Sequence, residues 1–333
     1  MQSKIGYKYG GNKVKKGLYM TIIGIVCLWF VVCIPVGAYG DSVSGNDDVV
    51  IVSNREELYR GISKQIKEHR TAVRYNMYQG AVGSDMEEVI EGYFYHYNTE
   101  NPLDSGSYLC KYVRDRRLTF EYGHGDFVED YNFQIEVQVQ YDYTKDELDE
   151  YFAYMHELAG TLKKETDYKS VKSVHDYLIK NFEYDHSLNN HLDYEGYLTG
   201  SMVCEGYCMA AFFLLSDMGI PVRIVNGSAK DFETDPDHAW NVVNVEGKWY
   251  NMDVTWDDKG GRKPPAYTFF LKSDVDFYQH TREGKYDYDR DMAIVSYDMP
   301  DKSTEIFTVI FILAMVIVFV VIRSRISRED TIF

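Results

Sequence analysis

The sequence predicts an α+β protein with an apolar segment at each end. Between Ala72 and Tyr143 the chain is rich in Tyr, Val and Phe and contains period-two stretches, which are typical of half-buried strands. From Thr144 onward apolar residues recur at helical spacing, and strand-like runs return after Gly219. Because strands and helices are grouped along the chain, we predict a small β-rich domain followed by a mixed domain of helices and strands.

The composition limits the class of protein. The chain has 333 residues, which leaves room for about two domains. Aromatic residues make up 15% of it, so there is ample apolar surface to bury and a wholly disordered chain is excluded. The formal net charge is −17, which argues against a nucleic-acid partner because a phosphate backbone requires clustered Lys and Arg.

The N-terminal apolar segment is Leu18–Ile34, and no acidic residue precedes it. Five lysines lie in front of it, namely Lys4, Lys8, Lys13, Lys15 and Lys16. A basic region followed by an apolar run is typical of a secretory signal. Ala38–Gly40 offers a small-x-small cleavage site, so a cleaved signal peptide and an uncleaved membrane anchor both stay open.

The C-terminal apolar segment is Ile306–Ile322, in which Thr308 is the single polar side chain. Three arginines follow, namely Arg323, Arg325 and Arg328. This length is at the short end of the roughly 17–25 residues that span a bilayer. Positive flanks stay in the cytoplasm, so we predict a cell-membrane protein with one or two spans whose middle part is extracellular.

Most predicted elements have a local signal. Glu91–Tyr97 and Phe133–Tyr141 alternate between apolar and polar residues, as half-buried strands do. Thr144 and Glu147 form a capping box ahead of a stretch with apolar residues at helical spacing. A further helix is predicted over Ser170–Asn181, and both helices are expected to bury one apolar face.

The helix predicted over Gly200–Met218 is apolar on nearly all sides, so we expect it to be central and buried. Cys204 lies at its start, where the helix dipole and the free N–H groups favour the nucleophilic thiolate. Two strands follow, His238–Val245 and Trp249–Val254, on either side of a turn at Glu246–Lys248.

Cys204, His238 and Asp253 have the residue types of a thiol acyl-transfer site. His238 begins one strand of the hairpin and Asp253 lies on its partner at a similar distance from the turn, so cross-strand pairing can bring them together. The histidine can take the thiol proton and return it to the leaving group, while the carboxylate fixes the tautomer of the imidazole.

Several motifs resemble the transglutaminase-like superfamily, and they occur in the same order as in that family. The motifs are Val203–Tyr207, His238–Asn241 and Trp249–Asp257. Upstream, His175–Asp185 is similar to the helix that precedes the cysteine in these domains. The resemblance covers roughly residues 145–280.

This resemblance implies a papain-like fold, with helices packed on an antiparallel sheet. It also implies that Cys204 is the nucleophile, His238 the base and Asp253 the orienting acid of a catalytic triad. The family includes transglutaminases, peptidases, amidases and members without activity. The chain is therefore expected to form a thioester from a peptide or carboxamide substrate and to pass the acyl group to water or to an amine.

The expected acyl-transfer activity also indicates the substrate and the cofactor requirement. The substrate is a peptide or protein, and cell-surface or cell-wall peptides are suggested by the predicted location. The chemistry requires no cofactor, although calcium stays open because the chain is so acidic. The alternative function is a catalytically inactive surface module that binds a partner as a scaffold.

These predictions divide the chain into four parts. Residues 1–40 are a basic cytoplasmic tail with the signal peptide or N-terminal anchor, and 41–143 are an extracellular β-rich domain. Residues 144–300 are the transglutaminase-like domain, and 301–333 are a transmembrane helix with a short basic tail.

Further side chains are candidates for the site. Tyr194 holds the position of a tyrosine that the family often carries upstream of the cysteine, so it is a candidate oxyanion donor, with ordinary packing as the alternative. Trp240 and Trp256 are expected to pack around the site and exclude water. Asp257 and Asp258 compete for the role of the carboxylate, but their position predicts a turn or the surface.

Cys208 lies four residues after Cys204, on the same face of the predicted helix. Simple packing is the favoured interpretation. A disulfide with Cys110 and a metal site with Cys204 and His238 both stay open.

Overall fold

A computed structural model describes residues 49–77, 82–83, 85–96, 102–122, 133–230, 237–261, 263–283, 289–300, 310–320 and 323. The predicted N-terminal segment Leu18–Ile34, with its candidate cleavage site at Ala38–Gly40, lies outside these residues. Of the predicted C-terminal segment, residues 310–320 are helical with exposed side chains. Among the helices described, none is long and apolar enough to cross a bilayer.

The first sheet has four described strands, β1 (Val49–Ile51), β2 (Ala72–Met77), β3 (Val113–Tyr122) and β4 (Phe133–Tyr141). Their order is β1-β2-β4-β3, with β1 parallel to β2 and the other neighbours antiparallel. Phe133, Ile135 and Val137 are buried on one face of β4, and the residues between them are partly exposed. The predicted strand over Phe133–Tyr141 is therefore confirmed.

Between the strands of this sheet, the described residues include the α-helices α1 (Arg55–Lys67), α2 (Met86–Glu91) and α3 (Gly106–Leu109). α2 continues into a π-helical turn at Gly92–His96, so the strand predicted over Glu91–Tyr97 is wrong for its described residues. Tyr93 and Phe94 are neighbours in the chain and both are buried. A half-buried strand would expose one of the two, whereas a helical turn can bury both.

The second part of the chain begins with four helices, α4 (Lys145–Leu162), α5 (Asp167–Asn181), α6 (Asp193–Thr199) and α7 (Cys204–Asp217). The capping box at the start of α4 is confirmed, because Thr144 Oγ1 accepts from the Glu147 N–H and the Glu147 carboxylate accepts from the Thr144 N–H. α5 begins before the predicted Ser170, since Thr166 accepts from the backbone N–H of Lys169 and caps the helix there.

The second sheet has four described strands, β7 (Val222–Ala229), β8 (Asp237–Val245), β9 (Lys248–Met252) and β10 (His280–Arg282). Their order is β10-β7-β8-β9, and all neighbours are antiparallel. Three short elements flank them, the parallel pair β5 (Glu183–Tyr184) and β6 (Ser201–Met202), and α8 (Val254–Asp257). α7 packs on β7 and β8, and its residues Gly206–Leu215 are all buried. The predicted α+β class and the central position of this helix are confirmed.

The segment before β3 contacts the helices of the second part. Tyr112 Oη donates to the buried Asp193 Oδ1 at 2.6 Å. Lys111 forms an ion pair with Glu205, the residue after Cys204. The larger hydrophobic cluster also contains residues of the first sheet together with residues of α4 to α7. The division of the chain at residues 143 and 144 stays a prediction.

Candidate active site

Cys204 is the first residue of α7, with Val203 as the N-cap. The residue is partly exposed and its thiol is free. A β-carbon added to Gly206 would lie 2.7 Å from Met202 Cβ. The glycine thus lets the first turn of α7 pack closely against β6.

His238 and Asp253 are joined directly, since Asp253 Oδ2 accepts a hydrogen bond from His238 Nε2 at 2.8 Å. His238 lies on β8 as predicted, but Asp253 lies one residue beyond β9 rather than on it. Asp253 is the N-cap of α8, where its Oδ1 accepts from the Trp256 N–H at 3.1 Å. The last pair of the β8–β9 ladder is Asn241 with Met252, so the bond to His238 crosses the end of the hairpin diagonally.

The charges of these groups depend on one another. Burial lowers the pKa of His238, but the charge and hydrogen bond of Asp253 and the hydrogen bond with Cys204 outweigh it and raise that pKa to about 10. Burial raises the pKa of Asp253, but the His238 charge and its hydrogen bonds hold that pKa below its usual range. Because Nε2 is bound to Asp253, the imidazole nitrogen left for Cys204 is Nδ1.

His280 is a residue of this site that the sequence did not reveal. Its Nε2 donates to Asp253 Oδ2 at 2.9 Å, the same oxygen that accepts from His238. The side chains of His238, Asp253 and His280 are 7%, 1% and 0% exposed. His280 lies on a three-residue strand, which is too short to show a period, so no pattern in the sequence could assign it to the sheet.

In the described part of the chain, these three side chains also form a cluster of potential metal ligands. One ligand atom from each of His238, Asp253 and His280 lies within 4.8 Å of the others. Their Nε2 and Oδ2 atoms already form the hydrogen bonds of the site, so an ion bound there would replace those bonds. The metal site considered for Cys204, Cys208 and His238 does not correspond to this group.

The two predicted tryptophans lie around the histidines. Trp240 is buried, and its ring centroid lies 6.2 Å from that of His238 and 5.1 Å from that of His280. Trp256 is partly buried, with its ring centroid 5.6 Å from that of His238. Both rings therefore pack around the imidazoles of His238 and His280. The ring of Tyr194 contacts the rings of three tyrosines, Tyr143, Tyr151 and Tyr197. Its role as an oxyanion donor stays a prediction.

The other two candidate carboxylates have hydrogen-bond partners, whereas the disulfide considered for Cys208 and Cys110 is not formed. Asp257 is fully buried and accepts from His175 Nε2 at 3.1 Å and from the Phe269 N–H, so the predicted surface position is wrong for this residue. Asp258 is partly exposed and accepts from Tyr207 Oη at 2.8 Å. Cys208 is buried in α7 with a free thiol, and Cys110 is also free.

Comparisons with known proteins agree with this architecture. The sequence profile of the transglutaminase-like superfamily matches residues 156–254, a segment that contains Cys204, His238 and Asp253. The kyphoscoliosis peptidase of Homo sapiens is 26% identical over a stretch that covers 31% of this chain and 18% of that protein. The chain thus spans about a fifth of the length of this curated relative.

Two solved structures are similar to part of the chain. The periplasmic domain of TgpA from Pseudomonas aeruginosa is 18% identical, covering 39% of this chain and 55% of that chain with a TM-score of 0.27. LapG of Legionella pneumophila is 16% identical, covering 42% of this chain and 73% of that chain with a TM-score of 0.28. Residues 156–254 thus match the transglutaminase-like superfamily.

Proposed function

We propose that this protein is a cysteine acyl-transfer enzyme in which Cys204, His238 and Asp253 are the catalytic triad. The observation that carries the proposal is the bond between Asp253 Oδ2 and His238 Nε2 at 2.8 Å. It fixes the imidazole so that Nδ1 is left for the thiol at the start of α7. A carboxylate, an imidazole and a thiol in this order are what nucleophilic catalysis by cysteine requires.

The reaction proceeds in two halves. The thiol proton passes to His238 Nδ1, and the sulfur of Cys204 attacks the carbonyl carbon of a peptide or carboxamide. The C–N bond then breaks as the leaving amine takes the proton from His238, which leaves a thioester on the sulfur. Water or a second amine then attacks the thioester and gives up a proton to His238. The C–S bond breaks, the acid or amide product leaves, and the released sulfur of Cys204 takes the proton back from His238. The first acceptor makes the protein a peptidase or amidase, and the second makes it a cross-linking enzyme.

The location of the enzyme is part of the proposal. Leu18–Ile34 and Ile306–Ile322 are apolar and have basic flanks, which supports a cell-membrane protein whose catalytic domain is extracellular. A protein in this position meets cell-surface proteins and cell-wall peptides, so these are the substrates that we propose.

The first experiment measures the rate at which iodoacetamide modifies Cys204 in the full chain at pH 7, with peptide mapping to separate it from Cys110 and Cys208. A triad predicts fast modification of Cys204 that is lost in His238→Ala. The matched control is His156→Ala, which removes an exposed histidine outside the site and should leave the rate unchanged. A slow wild-type rate, equal to that of His238→Ala, would support the inactive scaffold instead.

The second experiment separates the two acyl acceptors. The full chain is incubated with a glutamine-containing peptide and a fluorescent amine, and the release of ammonia is measured together with incorporation of the amine. Incorporation shows transfer, whereas ammonia release without incorporation shows hydrolysis. Both products must disappear in Cys204→Ala, and activity that survives this substitution would remove the mechanism.

A further inference from the structure

Asp253 Oδ2 accepts two hydrogen bonds from histidines, one from His238 at 2.8 Å and one from His280 at 2.9 Å. We propose that His280 is a positioning residue, which holds the Asp253 carboxylate in the orientation that His238 requires. This inference rests on the proposed function, because the orientation matters only if His238 exchanges a proton with Cys204.

The chemistry of the bond fixes the tautomer of His280. An ionised carboxylate can only accept, so His280 Nε2 must carry a hydrogen and, in the neutral ring, Nδ1 is an acceptor. Nδ1 is buried and has no hydrogen-bond partner in the part of the chain that the structure describes. A proton added at Nδ1 would have no hydrogen-bond partner there and would place a second buried positive charge beside the charged His238, with Asp253 as the carboxylate shared by both rings. His280 is therefore a neutral donor.

The two oxygens of Asp253 are held from different sides. Oδ1 is fixed to the start of α8 through the Trp256 N–H at 3.1 Å, and Oδ2 is fixed by the two imidazoles. Without His280, Oδ2 would depend on His238 alone, and that histidine must exchange its other proton during the reaction. A second donor that takes no part in proton transfer keeps the carboxylate in place throughout.

The ring of His280 is itself firmly supported. It stacks on Phe277 with centroids 3.8 Å apart, and the Trp256 ring lies 4.6 Å away. Its backbone is paired with Ala229 in the ladder between β10 and β7. Because its ring and backbone are held by these contacts, His280 can fix the position of the Asp253 carboxylate.

The test compares two variants of the full chain. His280→Phe keeps an aromatic ring against Phe277 but removes the donor, whereas His280→Gln places an amide donor where Nε2 stands. We expect His280→Phe to slow the modification of Cys204 by iodoacetamide at pH 7 by about tenfold or more, as loss of a hydrogen bond to a charged group does. His280→Gln should restore most of the rate. Melting temperatures of both variants show whether each is folded.

A second measurement uses the wild-type chain and so does not depend on folding of a variant. Nitrogen NMR of the chain labelled in its histidines should show His280 neutral at pH 7, with the proton on Nε2. A proton on Nδ1, or a charged ring, would overturn the proposal.

The outcomes separate this inference from the proposed function. If wild-type Cys204 reacts fast and His280→Phe reacts equally fast, the positioning role is overturned and the triad stands. If His280→Phe and His280→Gln are both folded and Cys204 reacts equally slowly in each, the hydrogen-bond donor to Asp253 does not set the rate, and the inference is also overturned. Slow modification of the wild-type thiol, unaffected by His238→Ala, overturns both.

Discussion

Replacing Asp253 by Asn tests the hydrogen-bond arrangement at its centre. If the Asn Oδ1 keeps the bond from the Trp256 N–H, its Nδ2 lies where Oδ2 was, facing the Nε2 atoms of His238 and His280. An amide nitrogen cannot accept, so each imidazole must present a lone pair there. For His238 this places the proton on Nδ1, the nitrogen that must receive the proton of Cys204. The asparagine side chain thus has nearly the same shape as aspartate, but it leaves His238 in the tautomer that cannot accept the proton of Cys204.

The size of the effect follows from the proton affinity of His238. Its pKa of about 10, against an ordinary 6.5, corresponds to roughly 5 kcal/mol in favour of the charged ring, at about 1.4 kcal/mol per tenfold. The charge and hydrogen bond of Asp253 are larger causes of this increase than Cys204. If the substitution removes half of this free energy, the charged form of His238 is less favoured by about 2.5 kcal/mol, which is a factor on the order of 70 in the protonation equilibrium. We therefore expect Cys204 to react about tenfold to a hundredfold more slowly at neutral pH.

The assay is the second-order rate of iodoacetamide modification of Cys204 in wild type and Asp253→Asn, measured from pH 5 to pH 10. Asp258→Asn is the matched control. Its Oδ1 can still accept from the Gly260 N–H, and its Nδ2 can donate to Tyr207 Oη, which is able to accept. A folded Asp253→Asn protein that reacts within twofold of the wild type would refute the reasoning.

The remaining predictions concern stability. His238 holds its proton more tightly in the folded state than its ordinary value of 6.5, so its contribution is complete below pH 6.5 and is lost as the pH rises towards about 10. The free energy of unfolding in urea should fall over this window, and His238→Gln should show a flatter profile; equal profiles would contradict the shift. A β-carbon at Gly227 would lie 2.1 Å from the backbone oxygen of Thr281, so Gly227→Ala should push β10 away and destabilise the fold by about 1–3 kcal/mol or more. Asn241 is buried and its Nδ2 donates to the Cys208 carbonyl at 3.1 Å, so Asn241→Leu should cost about 1–3 kcal/mol in a urea titration, and an unchanged midpoint would argue against this bond.

Much of the site could be predicted because its signals are local. Cys204 lies two residues ahead of the apolar run Gly206–Leu215, which is typical of a buried helix. The turn at Glu246 and Gly247 fixes the β8–β9 hairpin, with φ of 54° and 80° at these two residues. Once the hairpin is placed, His238 and Asp253 must lie near each other.

What could not be predicted depends on contacts between distant parts of the chain. Tyr93 and Phe94 follow an alternating pattern in the sequence, but contacts with other elements bury both and favour a helical turn. Asp257 ends α8, and it is buried through its contacts with His175 on α5 and with the Phe269 N–H, both distant in the sequence. His280 reaches Asp253 because β10 pairs with β7. A strand of three residues is too short for its sequence to predict that pairing.

Lys111 and Tyr112, just before β3, contact residues of α6 and α7, and this affects where the chain can be shortened without disturbing the site. A protein shortened to begin at Thr144 would retain Cys204 and its partners but would lose the donor that Tyr112 provides to Asp193. Burial raises the pKa of Asp193 to about 6, and removing one partner of a buried charged group is costly. Excision for crystallisation or for enzyme assays should therefore start upstream of β1, so that the whole first sheet remains attached.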